Sequence, residues 1–155
     1  MGIRVQRARI EEIRGLADRY RTESSSRSID GRPWDPPVPQ GGIFWQAVDE
    51  DSGEAVGYAA GTLRPNGMTV GPVFTVPEAR RRGVGAQLVD AIQAWATSTR
   101  VPVVEISVAA DNPDGRAFLE ELGYRPRRVL MSLRPSEASA PDGHAAAAQD
   151  ELADL

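Results

Sequence analysis

The chain has 155 residues, of which 41% are apolar and 26% charged, and carries a formal net charge of −4; this suits one globular domain and argues against broad nucleic-acid binding. No apolar run approaches the roughly 20 residues that a membrane span needs. Cysteine is absent and all 18 basic residues are arginine, which excludes disulfides, thiol catalysis, cysteine-ligated zinc, a lysine-bearing P-loop and Schiff-base chemistry.

The N-terminus, Met1-Gly-Ile-Arg-Val-Gln-Arg7, lacks the apolar centre of a signal peptide; with the absence of cysteine, a cytoplasmic location is the simplest expectation. Ile3 to Ala8 alternates apolar and charged residues and reads as a half-buried strand. Ile10, Ile13, Leu16, Ala17 and Tyr20 follow at helical spacing, giving an amphipathic helix that ends near Arg21. Between Thr22 and Gly42 the serines, Pro33-Trp-Asp-Pro-Pro-Val-Pro39 and Gly41-Gly42 break any long helix. A connection of that length is either a surface link or a loop lining a substrate entrance.

Ile43 to Val48 and Ala55 to Leu63 read as strands joined by the polar turn Asp49-Glu-Asp-Ser-Gly53, and Pro65-Asn-Gly67 leads into a third strand, Met68 to Val76. Gly71-Pro72 interrupts that strand and predicts a bulge or a local parting from a neighbour. Arg80-Arg-Arg-Gly-Val-Gly-Ala86 then precedes Leu88, Ile92 and Trp95 at helical spacing, so a helix starts among the glycines and runs to about Thr97. Its first N–H groups lack intrahelical partners and sit at the positive end of the helix dipole, an arrangement that accepts phosphate oxygens. Val101 to Val108 reads as a strand buried on both faces, completing a βαβ crossover. In Asp111-Asn-Pro-Asp114, Asn112 suits an N-cap and Pro113 the first helical position. Gly123 stops that helix, and Tyr124 opens a short final strand through Val129 to Leu133. The domain is thus expected over 1–134, with 135–155 a largely disordered tail. His144, the only histidine, falls in that tail, which does not hold the geometry a general base needs.

This order of elements resembles the GNAT superfamily of acyl-CoA-dependent N-acyltransferases over about residues 3–134. The resemblance is carried by Arg80-Arg-Arg-Gly-Val-Gly-Ala86, similar to the family's pyrophosphate loop, and by Asn112-Pro-Asp-Gly-Arg-Ala-Phe-Leu-Glu-Glu-Leu-Gly-Tyr124, similar to its segment ending in Leu-Gly-Phe/Tyr. A dinucleotide fingerprint fits less well, because its third glycine falls at Leu88. A purely structural strand-to-helix turn is the remaining alternative. The resemblance implies an α/β (α+β) fold: one domain with a mixed, mostly antiparallel twisted sheet of about six strands, flanked by helices and splayed at the central parallel pair. It implies acetyl-CoA as donor, no metal, and transfer to a primary amine on a small molecule or peptide by direct attack on the thioester. A homodimer is compatible with it.

Carried over by position, the resemblance implies that backbone groups of Phe74, Thr75 and Val76 meet the pantetheine arm and the thioester carbonyl. Backbone amides from Arg81, Arg82, Gly83, Val84, Gly85 and Ala86 hold the pyrophosphate, with Arg80 shaping the loop. Asn112 contacts the pantetheine as well as capping its helix. The tyrosine that often serves the family as general acid falls at Leu119, and the Met68 to Val76 strand carries no carboxylate. The substitutes are Tyr58, Glu105, Ser107 and Tyr124; Glu105 and Ser107 share one strand face, and Glu105 is the candidate base. The missing tyrosine also leaves a rival reading, a catalytically inert acyl-CoA-binding or regulatory domain. Trp34, Trp45 and the proline-rich loop are expected at the acceptor pocket.

Overall fold

A computed structural model of the chain describes residues 2–24, 41–110, 112–131, 133 and 135. In chain order the elements are β1 (Ile3–Ala8), α1 (Ile10–Ser24), β2 (Ile43–Asp49), β3 (Ala55–Arg64), β4 (Gly67–Thr75), a 3-10 turn (Pro77–Ala79), α2 (Val84–Ser98), β5 (Val104–Ile106) and α3 (Pro113–Glu121). The strands form one sheet in the order β1-β2-β3-β4-β5. The first three pairings are antiparallel and the last is parallel. The proline-rich segment 25–40, with Trp34, and His144 lie outside the described residues.

Helices α1 and α2 cover opposite faces of the sheet, and adjacent β3 residues show it. A Cβ on Gly57 would lie 2.9 Å from Val84 Cγ1 and 3.3 Å from Leu88 Cδ1, both on α2. The next side chain, Tyr58, points the other way and packs edge-to-face against Tyr20 of α1 and Phe74 of β4. Helix α1 buries Ile13, Leu16 and Ala17; α2 buries Val84, Leu88, Val89, Ile92 and Ala96. Each fully buried aliphatic side chain contributes roughly 1.5–3 kcal/mol of transfer free energy. On the α2 face Trp45 meets Trp95 at a centroid distance of 5.7 Å, and the Arg7 guanidinium lies 5.5 Å from each ring. Gly67 is required by close approach, since a Cβ there would lie 2.6 Å from the Val103 carbonyl oxygen.

The sheet has five strands among the described residues rather than about six. Residues from Arg125 onward form a separate unit in which the described residues hold no helix or strand. Val129, Leu130, Met131 and Leu133 are 73–85% exposed there. Pro126 lacks the N–H that a strand ladder needs, and Arg125, Arg127 and Arg128 beside it are exposed, so this run makes a poor strand. Strand β5 is accordingly shorter and less buried than the apolar run predicts. Among the described residues it has a strand neighbour on one side only, and Val103 and Val108, which flank it, are 36% and 38% exposed.

Candidate active site

The parallel pair β4–β5 parts halfway along β4. Met68 pairs with Val104, Thr69 with Glu105 and Val70 with Ile106, and the Ser107 N–H donates to the Val70 carbonyl at 3.0 Å. Beyond Val70 β4 continues against β3 alone. Ala59 pairs with Val73 but Gly61 with Val70, so Gly71 and Pro72 together oppose one β3 residue across a bulge that contains a cis Gly71–Pro72 peptide.

The bulge decides which backbone groups face the parted side. Val76 donates its N–H to the Val56 carbonyl at 2.9 Å. By strand alternation Phe74 also turns its backbone groups toward β3, whereas Val73 and Thr75 turn theirs away. The Thr75 carbonyl indeed accepts from Arg80 Nε at 3.2 Å instead of from the sheet. Of the three strand residues named from the sequence, Thr75 therefore lies open to the gap, while Phe74 and Val76 face β3. Val73, which the sequence pattern does not single out, shares the open side with Thr75, because the extra residue in the bulge reverses the alternation and its position is set by pairing.

Next to the gap, Arg81 (φ 66) and Gly83 (φ 77) both adopt the left-handed region, which turns the chain sharply into α2. Gly83 caps α2 without a side chain. The first intrahelical bond runs from Gln87 N–H to the Gly83 carbonyl at 3.1 Å, which leaves the amides of Val84, Gly85 and Ala86 without helical partners. The two glycines do different work. The space around a Gly83 Cβ is open, whereas a Cβ on Gly85 would lie 3.3 Å from the Phe118 ring, so Gly85 lets α3 approach α2.

Three ion pairs hold this turn. Glu78 accepts both terminal nitrogens of Arg19 at 2.9 Å, and that hydrogen bonding lowers its carboxyl pKa to about 2. Arg80 donates to Glu23 at 2.9 Å. Arg82 donates to Asp49 at 2.9 Å; this contact, followed by the Asp51 N–H, holds the Asp49 carboxyl below its ordinary range. Nothing in the sequence pattern joins Glu23 or Asp49 to the glycine turn, because these pairs span 57 and 33 residues.

The catalytic candidates divide between the faces of the sheet. The Met68 sulfur lies 3.0 Å from the position of a Gly61 Cβ, on the α2 face, so the neighbouring Thr69–Glu105 pair points to the α1 face. Glu105 there is half-buried. Tyr58 lies on the same face and is 1% exposed beneath Tyr20. Ser107 sits where the strands part, 3.6 Å from the position of a Gly71 Cβ. Tyr124 belongs to the other side, where its hydroxyl accepts from Gln93 Nε2 of α2 at 3.0 Å. Leu119 is buried. Asn112 Oδ1 accepts the Gly115 N–H at 3.1 Å and so caps α3. Among the described residues no cluster of His, Cys, Asp or Glu is arranged to hold a metal, and no helix is long and apolar enough to cross a membrane.

A mixed sheet that parts at its parallel pair, beside an uncapped glycine turn opening a helix, defines the scaffold of an acyltransferase. The model of the acetyltransferase (GNAT) family matches residues 10–124, and the chain belongs to that family. A mycothiol acetyltransferase of Clavibacter michiganensis is 35% identical over 96 residues; the match covers 62% of this chain and 30% of that protein, so the chain spans less than a third of that relative's length. A putative acetyl transferase from Pyrococcus furiosus shares the fold at TM-score 0.67 and 20% identity, covering 86% of this chain and 99% of that one. An aminoglycoside N-acetyltransferase, AAC(6')-Iy, in complex with CoA superposes at TM-score 0.64 and 19% identity, covering 86% and 95%.

Proposed function

We propose that the protein is an acetyl-CoA-dependent N-acetyltransferase that acetylates a primary amine by direct attack on the thioester. The observation that carries this reading is the gap between β4 and β5 beside the uncapped amides of Val84, Gly85 and Ala86. The residues fit the donor: the gap exposes backbone hydrogen-bonding groups to a pantetheine arm, and the amides meet its pyrophosphate. The CoA held by AAC(6')-Iy and the naming of the Clavibacter relative as an acetyltransferase support the same donor. The donor supplies an activated carbonyl; this chain's part is to hold it, stabilise charge and move protons.

Val73 and Thr75 carry N–H groups on the open side of β4, suited to the pantetheine and to the oxygen on which negative charge develops. Glu105, on the α1 face, is the base that takes the amine proton, directly or through water. Ser107, at the point of parting, is its polar neighbour. With Leu119 at the position of the family's usual acid, departure of the thiolate rests on its own pKa of about 8.5. Tyr124 is held on the α2 side by Gln93, which fits a packing role. Binding of CoA without turnover is the rival reading, and the buried Leu119 favours it. A cytoplasmic location is part of the same proposal, and the cysteine-free composition is compatible with it.

Release of thiol from acetyl-CoA, measured over a panel of amines, amino acids, aminoglycosides and peptides, tests the proposal. Turnover with at least one amine is expected. Saturable CoA binding with no turnover on any acceptor would establish the inert reading. Glu105→Gln is expected to lower turnover about 10²–10⁴-fold with an altered pH profile; loss of stability alone would make Glu105 structural.

A further inference from the structure

Of the three consecutive arginines before α2, two are already committed. Arg80 spends its Nε on the Thr75 carbonyl and a terminal nitrogen on Glu23, at the end of α1. Arg82 is held by Asp49 Oδ2. The Asp49 carboxylate is itself rigid: its side chain is 14% exposed, and its Oδ1 accepts the Asp51 N–H at 2.9 Å and the Ser52 N–H at 3.4 Å in the β2–β3 turn. The Arg19–Glu78 pair fastens the start of the same turn to α1 a second time. Arg81 stands between these anchors, exposed, in the left-handed conformation, and with no hydrogen bond or ion pair among the described residues.

We infer that the arginine triplet is divided by role: Arg80 with Glu23 and Arg82 with Asp49 are struts that hold the turn open at its two ends, and Arg81 alone supplies a cation to the donor's phosphates. Glu23 and Asp49 are then positioning residues for the donor site, although they lie on α1 and on the β2–β3 hairpin. Arg81 meets the phosphate without first giving up a carboxylate, whereas Arg80 or Arg82 must break a charge-assisted pair to do the same. The inference rests on the CoA-donor reading proposed above.

Titration calorimetry of CoA against the full chain, at two or more salt concentrations, tests the division. R81Q is expected to weaken CoA about tenfold and to flatten the salt dependence of its affinity, with an unchanged melting temperature. D49N and R82Q are each expected to weaken CoA about two- to fivefold, to keep the salt dependence, and to lower the melting temperature. D49N/R82Q is expected to lose no more than the worse single variant, the signature of one shared interaction. Tighter CoA binding by D49N or E23Q would show carboxylates competing with phosphate and would overturn the division. So would R82Q or R80Q flattening the salt dependence as R81Q does. Absence of CoA binding by the unaltered chain would instead reject the donor reading, and the melting cycle on Asp49 and Arg82 would still decide whether they are struts.

Discussion

The carboxamide of Asn112 is half committed: its Oδ1 accepts the Gly115 N–H at 3.1 Å, and its Nδ2 has no partner among the described residues. The cap and the pantetheine contact proposed for Asn112 would therefore fall on different atoms and can be separated. Asn112→Asp keeps the acceptor and replaces the donor with oxygen. It is expected to preserve the melting temperature while raising KM for acetyl-CoA. Asn112→Ala is expected to cost about 1 kcal/mol of stability as well. An unchanged KM in both would make Asn112 a cap and nothing more.

Gly83 has open space around it and a φ of 77°. Substitution there meets the backbone requirement and the proposed anion cradle but not packing. Gly83→Asn, which tolerates the left-handed region, is expected to melt close to the unaltered protein, and Gly83→Ala to lose about 1 kcal/mol. Gly83→Glu is expected to abolish CoA binding by placing a negative charge in the cradle; CoA affinity equal to that of Gly83→Ala would remove the pyrophosphate assignment.

Gly57 is the point where α2 presses on the sheet. A Cβ there would lie 2.8 Å from the Phe74 carbonyl oxygen and 2.9 Å from Val84 Cγ1, and neither the backbone nor a buried valine yields cheaply. Gly57→Ala is expected to destabilise the fold by about 1–3 kcal/mol in denaturant unfolding. A midpoint unchanged from that of the unaltered chain would mean that α2 sits farther from β3.

Glu78 gives a pH dependence with a definite sign. Its folded carboxyl pKa, about 2, lies below the ordinary 4.5 because Arg19 hydrogen-bonds the charged form. The unfolded chain thus binds the proton first on acidification. The contribution of the pair to stability is complete above the ordinary value and is lost as pH falls from there through the folded pKa. Because the carboxylate is largely exposed, the contribution is small, so the direct measurement is an NMR titration of the Glu78 carboxyl carbon. A midpoint well below 4 is expected in the unaltered chain, returning toward the ordinary range in Arg19→Gln. Identical midpoints in the two proteins would show that Arg19 does not hold Glu78 in solution.

Local chemistry was legible in the sequence wherever one short segment determined the outcome. Period-two alternation marked β1, helical spacing marked α1 and α2, Asn112-Pro113 marked the start of α3, and the glycine turn marked the family. What escaped depends on partners distant in the chain. Periodicity in Val101 to Val108 reports apolar character but not how many neighbours a strand has, so it predicts a longer β5, buried on both faces, than the structure holds. The apolar run after Tyr124 suggested a sixth strand that the proline and arginines beside it do not support. The Gly71-Pro72 interruption announced a bulge, yet only its register against β3 shows that Val73 and Thr75, rather than Phe74 and Val76, turn toward the gap. Three adjacent arginines look equivalent in the sequence, because a guanidinium's role is set by the carboxylate it meets. Glu23 and Asp49 reach Arg80 and Arg82 only after α1 and the β2–β3 hairpin have packed. Short-range pattern thus suffices to mark the family and the glycine turn that opens α2, since backbone conformation there follows from glycine and helix onset. Tertiary structure alone decided which amides face the gap and which arginine is left uncommitted, since both depend on pairing between segments far apart in the chain.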